Sequence, residues 1–110
     1  MEFVTEKIGE ITIVILPGDN LDASNVADFK RDINAAIEGS MSVVFDLRHV
    51  KFVDSSGLGA ILSCMRQLKD KGGDLKLCRM TKQVRVLADL VNMSKIFEIF
   101  DTGEEAVRAF

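Results

Sequence analysis

Tryptophan and tyrosine are absent from the 110 residues, and proline and histidine occur only once each. Phenylalanine, leucine, isoleucine and valine must therefore fill the core, for which an apolar fraction of 47% is sufficient. No apolar run approaches the roughly 20 residues that a membrane-spanning helix needs, so insertion into a membrane is not expected. The net charge of -3 does not supply the basic surface that nucleic-acid binding requires, which argues against that class of partner.

The first residues also lack the features of a secretory signal peptide, since Glu2, Glu6 and Glu10 replace its basic start and apolar centre. The two cysteines, Cys64 and Cys78, are far apart, and each lies among apolar residues. This placement is typical of reduced, buried thiols in a cytoplasmic protein, although a disulfide is not excluded. Since no linker or internal repeat divides the chain, we predict one cytoplasmic domain, residues 1–110.

Apolar residues recur with the two-residue period of strands in some segments and with the helical period in others. Strands are predicted at residues 3–8, 11–16, 43–47, 74–79 and 96–100, and helices at 22–38, after the segment 54–59, at 81–91 and after Thr102. Only Gly9-Glu10 separates the first two strands, which predicts a hairpin. The order β-β-α-β-α-β-α-β-α predicts an α/β fold, with a mixed, mostly parallel sheet of four to five strands and about four helices.

Polar residues stand where these helices should begin. Asp22 or Ser24 is predicted to cap the first helix and Thr81 the third, and Thr102 opens a capping box before the last one. The strand at 11–16 is apolar at nearly every position, which predicts a central strand covered on both faces.

The segment Asp54-Ser55-Ser56-Gly57-Leu58-Gly59 lies between an apolar run and the clearest helical pattern of the chain. Aspartate and serine accept hydrogen bonds from the free N–H groups of a helix's first turn, and the glycines leave the turn sterically open. Because a helix N-terminus favours negative charge, a serine here is well placed to carry a phosphate and to meet a partner. An ordinary capped turn is the alternative, but one cap residue would suffice for it, whereas three polar residues precede Gly57.

Other chemistries find little support in the residues. A catalytic triad needs a base, and the single histidine, His49, lies just past a strand, where a surface role is expected. One histidine and two distant cysteines do not have the spacing of zinc ligands. The chain has no phosphate-binding loop motif, although a weak nucleotide site at the helix N-terminus stays open. We therefore predict no catalytic residues, no metal site and no cofactor.

The segment 54–59, preceded by the runs 43–47 and 50–53, resembles the signature of STAS domains and, more narrowly, that of bacterial anti-sigma factor antagonists. Residues 18–23 are similar to the Gly-x-Leu-Asp segment of that family, with one extra residue before Leu21. The resemblance extends over essentially the whole chain, but the motif at 54–59 is its specific part.

The resemblance implies a regulatory switch rather than an enzyme. Ser55 is implied to be phosphorylated by the partner, an anti-sigma factor that is a GHKL-type serine kinase, with Ser56 the weaker candidate. The unphosphorylated form is implied to bind the anti-sigma factor and so release a sigma factor, and a PP2C-type phosphatase restores that form. The expected partner-binding residues are Asp22, Asp54, Ser55, Ser56, Gly57 and Leu58, and helix capping is the alternative role for both aspartates.

Two other functions remain open. The chain could be a STAS module of a stressosome or of a transporter-associated complex, without phosphorylation of Ser55. It could also be a weak nucleotide-binding protein, although the chain has no phosphate-binding loop motif. The serine motif favours the phosphorylation switch over the STAS module of another complex, and the missing phosphate-loop lysine and missing catalytic base argue against the nucleotide-binding protein.

Overall fold

The computed structural model describes residues 1–110 and contains seven strands. In chain order they are β1 (Val4–Ile8), β2 (Ile11–Ile15), β3 (Asn20–Leu21), β4 (Ser42–Asp46), β5 (Phe52–Val53), β6 (Asp74–Cys78) and β7 (Ile99–Phe100). Five of them form one sheet in the order β1-β2-β4-β6-β7, in which β1 and β2 are antiparallel and every other pair is parallel. The predicted mixed, mostly parallel sheet is confirmed.

Four helices complete the predicted α/β fold: α1 (Val26–Ala36), α2 (Ser55–Asp70), α3 (Lys82–Leu90) and α4 (Gly103–Arg108). The first three contribute apolar side chains to a large core on one face of the sheet, where Phe29, Phe45 and Ile61 are almost fully buried. Helix α4 covers the other face through Ala106, which lies in a smaller apolar cluster. Val14 belongs to the large core and Ile13 to the small cluster, so β2 is covered on both faces, as predicted. No helix has the length and apolar character needed to cross a membrane.

Phenylalanine supplies the aromatic side chains at the centre of the core, since tryptophan and tyrosine are absent. Phe29 makes edge-to-face contacts with Phe3 and with Phe45, at ring-centroid distances of 5.8 and 6.1 Å. The two cysteines are both buried and free, as expected. Burial raises the pKa of the Cys64 thiol to about 11 and that of Cys78 to about 12, so both are protonated and unreactive near neutral pH.

The predicted cap and start of the first helix are wrong. Helix α1 begins at Val26 rather than at residue 22, and its N-cap residue is Asn25. The Asp22 carboxylate is occupied by groups of its own loop, and the Asn25 side chain hydrogen-bonds to Asn20 and Asp22 instead of capping the helix. The predicted caps at Thr81 and Thr102 are confirmed, since each hydroxyl accepts the N–H group three residues later.

The predicted final strand is also too long. Residues 96 and 97 belong to a turn in which the Phe97 N–H donates to the Met93 carbonyl at 2.8 Å, and only Ile99–Phe100 pairs with the sheet. Strands β3 and β5 were not predicted at all. They pair in parallel as a separate two-stranded sheet, and this small sheet shapes the region around Ser55.

Candidate functional site

Ser55 is the first residue of α2, and Asp54 is its N-cap. Asp54 Oδ1 accepts the Gly57 N–H at 2.9 Å, which satisfies one free donor of the first helical turn. The other carboxylate oxygen accepts the Ala23 N–H at 3.0 Å. One side chain therefore holds together the start of α2 and a loop that lies 31 residues earlier.

The small sheet of β3 and β5 brings these two segments together. Asn20 pairs with Phe52, and Leu21 pairs with Val53. The Asp19 carbonyl accepts the N–H groups of Lys51 and Phe52, at 2.7 and 3.1 Å. The loop after β3 is thus held beside the loop after β5, and the predicted site residues Asp22 and Asp54 lie on neighbouring segments. Sequence periodicity could not reveal strands of two residues.

Gly57 is buried because α2 crosses the backbone of β3 at this position. A Cβ atom built on Gly57 would lie 2.0 Å from the Leu21 carbonyl oxygen, whereas one built on Gly59 would meet nothing within 4 Å. Gly57 therefore permits the close approach of helix and strand, and Gly59 leaves an open surface one half-turn further along. The structure gives the two glycines of the motif different roles, which the sequence did not separate.

Ser55 is exposed, Ser56 and Leu58 are partly exposed, and Gly57 is buried. Leu58 also packs against the large core, so only part of its side chain faces outward. Ser55 is therefore the motif hydroxyl that an approaching enzyme reaches most easily. The positive end of the 16-residue helix accommodates an added negative charge there.

The loop containing Asp22 is fixed by its own hydrogen bonds. The Asp22 carboxylate accepts from the Ser24 hydroxyl, from the Ser24 N–H at 2.9 Å and from the Asn20 side-chain amide at 2.9 Å. These bonds, that of the Ser24 hydroxyl above all, hold the pKa of Asp22 below its ordinary value of 3.8. Asp22 is thus ionised at neutral pH and held in one orientation.

We expect Ser24→Ala to raise the pKa of Asp22 toward 3.8, as measured by a carboxyl carbon NMR titration. The lowered pKa means that the folded protein binds this proton less readily than the unfolded chain. The ionised Asp22 therefore stabilises the folded state fully above pH 3.8, its ordinary pKa. This stabilisation is lost as the pH falls through the lower pKa of Asp22 in the folded protein. Ser94→Ala, at another exposed serine, is the control and should leave the pKa unchanged. An Asp22 that titrates at 3.8 or above in the unaltered protein would contradict this account.

The surface around Ser55 lies outside the main cavities of the molecule. The three main cavities are lined by none of the residues 54–59. The first, of about 520 Å³, lies between the C-terminal ends of α1 and α2, beside Glu38, Gln67 and Lys71. His49 is exposed, and no three histidine, cysteine, aspartate or glutamate side chains are grouped to hold a metal ion. The arrangement suits the docking of another protein better than the enclosure of a small molecule.

Comparison with known proteins places this geometry in context. The family model described as the STAS domain matches residues 2–106. A proposed anti-sigma factor antagonist from Bordetella bronchiseptica is 28% identical over 111 residues, which cover 100% of this chain and 95% of that protein. The crystal structure of a proposed anti-sigma factor antagonist from Thermotoga maritima has a TM-score of 0.87 at 25% identity, covering 97% of this chain and 92% of that one.

The same fold occurs in SpoIIAA, an anti-sigma factor antagonist. Its unphosphorylated form has a TM-score of 0.68 at 23% identity, covering 98% of this chain and 96% of that one. Its phosphorylated form, from Bacillus, has a TM-score of 0.69 at 24% identity, covering 98% of each chain. At these identities the likeness shows the fold alone, and SpoIIAA has that fold in both forms.

Proposed function

Because this chain belongs to the STAS domain family, we propose that it is an anti-sigma factor antagonist controlled by phosphorylation of Ser55. In this proposal the unphosphorylated protein binds an anti-sigma factor that is a GHKL-type serine kinase, and the bound sigma factor is released. The names of the Bordetella and Thermotoga relatives support the antagonist role. The observation that carries the proposal is the position of Ser55, exposed at the first residue of α2 and outside the three main cavities.

The kinase would use this chain as its substrate. The Ser55 hydroxyl oxygen attacks the γ-phosphorus of ATP, the bond to the bridging oxygen breaks, ADP leaves, and the hydroxyl proton passes to a base of the kinase. A PP2C-type phosphatase reverses the change by adding water, which returns the serine and releases inorganic phosphate. This chain itself contributes no catalytic group to either step.

The phosphate is proposed to act by preventing docking. It adds about 1.5 to 2 negative charges at neutral pH, directly beside the Asp54 carboxylate. Both oxygens of that carboxylate already accept backbone N–H groups, so these donors are not free to neutralise the phosphate. An interface would have to desolvate two adjacent negative groups, which is unfavourable unless the partner supplies cations. The helix N-terminus tolerates the charge in the free protein, so the fold is retained.

Affinity purification of this protein from its native cells tests the proposed function. Mass spectrometry then identifies the bound proteins and the phosphorylated residues. Unaltered protein should carry phosphate on Ser55, Ser55→Ala should retain a GHKL-type kinase, and Ser55→Asp should lose it. The opposite result has three parts: Ser55 is unmodified, no kinase is purified with the protein, and Ser55→Ala and Ser55→Asp capture the same membrane or scaffold complex equally well. That result would rule out the sigma-factor role and leave the family assignment intact.

A further inference from the structure

The Asp54 carboxylate takes the place of a main-chain carbonyl in the small sheet. Asp54 continues the parallel pairing beyond β5, because its N–H donates to the Leu21 carbonyl at 3.4 Å. In a parallel ladder, the residue that donates to Leu21 also accepts, through its own carbonyl, from residue 23. The Asp54 carbonyl accepts the Leu58 N–H at 2.9 Å instead, because the chain has already turned into α2. The side-chain oxygen Oδ2 therefore accepts the Ala23 N–H in place of that carbonyl.

This arrangement explains why the residue at position 54 has two acceptor oxygens. Oδ1 is used for the helix cap at Gly57, and Oδ2 is used for the bond to Ala23. Serine and threonine are also good N-cap residues, but each has one side-chain oxygen, and asparagine has one oxygen beside a donor amide. Among the favoured N-cap residues, only aspartate supplies a separate oxygen for each of the two bonds.

The Asp22 loop, residues 22–25, has a single hydrogen bond to the serine motif. Its other hydrogen bonds stay within residues 20–29, among them the bond from the Asn25 N–H to the Asp22 carbonyl at 3.1 Å. The bond from Ala23 to Asp54 is therefore the one that fixes this loop relative to Ser55. Asp54 is partly buried, and both of its carboxylate oxygens are engaged within the chain.

We infer that Asp54 is a positioning residue, which holds the Asp22 loop against Ser55 so that the anti-sigma factor docks on both at once. This inference rests on the proposed function and deepens it. Asp54 acts on docking through its bond to Ala23, and its carboxylate does not contact the partner. A loop that is fixed in the free protein costs less to order when the complex forms, so the bond favours docking. The cap at Gly57 keeps Ser55 at the first residue of α2 independently of that bond.

Amide hydrogen exchange, followed by NMR in the full chain, tests whether the bond holds the loop. Asp54→Asn keeps one oxygen for the cap at Gly57, but its amide group then meets the Ala23 N–H, which is also a donor. The Ala23 N–H should therefore exchange about 10-fold faster, whereas the Gly57 N–H keeps its protection. Asp54→Ser, which caps with a single oxygen, should give the same pattern. Unchanged exchange at Ala23 in both variants would overturn the inference.

The kinetics of phosphorylation test whether the position of the loop matters for docking. The probe is the anti-sigma factor recovered by affinity purification, with saturating ATP. Asp54→Asn should raise the KM for this protein about 10-fold and leave kcat within about twofold, because binding is weakened equally before and during the reaction. Partial unfolding of the substrate would also raise the apparent KM. Thermal unfolding followed by circular dichroism therefore has to show each variant folded at the assay temperature.

The donor side of the bond supplies a control that leaves Asp54 unaltered. Ala23 is exposed and is the second residue of the turn that the bond from Asn25 to Asp22 closes, a position that favours proline. Ala23→Pro removes the N–H group and should raise KM about as much as Asp54→Asn does. Ala23→Ser keeps the N–H group and should leave KM within about twofold. Adding Asp54→Asn to Ala23→Pro should raise KM less than about twofold further, because both changes remove the same bond.

The outcomes separate this inference from the proposed function. If the two losses multiply in the double variant, Asp54 contacts the partner directly and the inference is wrong. If Asp54→Asn and Ala23→Pro are phosphorylated as well as the unaltered protein, the position of the loop does not matter for docking. The inference is then wrong and the proposed function stands. If the anti-sigma factor does not phosphorylate Ser55 of the unaltered protein, the proposed function fails, and the inference fails with it.

Discussion

A negative charge at position 55 is expected to lower the affinity for the anti-sigma factor at least about 100-fold, because like charges and buried carboxylates cost several kcal/mol in an interface. Ser55→Asp places a carboxylate next to Asp54, and phosphorylated Ser55 places a larger charge there. Isothermal titration with the purified anti-sigma factor measures the change directly. Phosphorylated protein should bind more weakly than Ser55→Asp, since its charge is about twice as large.

The matched control for this experiment is Ser55→Asn. Asparagine has the shape of aspartate but no charge, so a purely steric block would weaken both variants equally. We expect Ser55→Asn to bind within about fivefold of the unaltered protein, because small changes at an interface usually cost less than about 1 kcal/mol. Equal losses for the two variants would show that size, and not charge, controls docking.

Backbone NMR shifts test whether the charge acts without refolding the domain. In the phosphorylated protein the shifts should change within residues 50–62 and in the loop bonded to Asp54, and elsewhere they should match those of the unmodified protein. The helix dipole supports this expectation, because α2 presents its positive end to Ser55. Widespread changes would mean that phosphorylation acts by rearranging the fold.

The second large effect is expected for Gly57→Ala, which should lower the free energy of unfolding by about 3 kcal/mol or more. Its Cβ atom would lie 2.0 Å from the Leu21 carbonyl oxygen, so either α2 or β3 has to move. Neither group is the flexible end of a side chain. The displacement would also disturb the bonds of Asp54 to Gly57 and Ala23. Chemical denaturation in urea measures the loss, with the midpoint as the most direct readout.

Gly59→Ala is the matched control, since the same substitution is made two residues later in the same helix. A Cβ atom at this position meets nothing within 4 Å. Alanine is the better helix former, so this variant should gain about 0.5 to 1 kcal/mol in unfolding free energy. If both substitutions destabilise equally, the contact with Leu21 is not the reason for glycine at position 57.

Much of the fold followed from local patterns in the sequence. The apolar run of β2 and the apolar stripe of α2 each lie within one element, so their period identified them without knowledge of the rest. The caps at Asp54, Thr81 and Thr102 were also predictable, because each side chain bonds to an N–H group only three residues away. The motif containing Ser55 was likewise recognisable from the sequence.

Local patterns failed where several local structures compete for the same side chain and where an element is too short to have a period. Asp22 had the residue type of a helix cap, but bonds within its own loop occupy its carboxylate, and α1 begins four residues later. Strands β3 and β5 are two residues long, so they carry no period to detect. The exposure of Phe52 on a strand could not be inferred either, because it depends on which elements pack around it.

The sequence by itself determined the alternation of strands and helices, the hydroxyl at the start of α2, and the acidic balance that argues against nucleic acid. Only the tertiary structure decided how that hydroxyl is presented. In the tertiary structure, Asp54 accepts a hydrogen bond from Ala23. Gly57 packs against β3 whereas Gly59 lies open, and Phe52 pairs with Asn20 beside the loop of Asp22. The physical reason is that capping and periodicity are satisfied within a few residues. The surface around Ser55 is instead built from segments about 30 residues apart, which meet only when the core brings β3, β5 and α2 together.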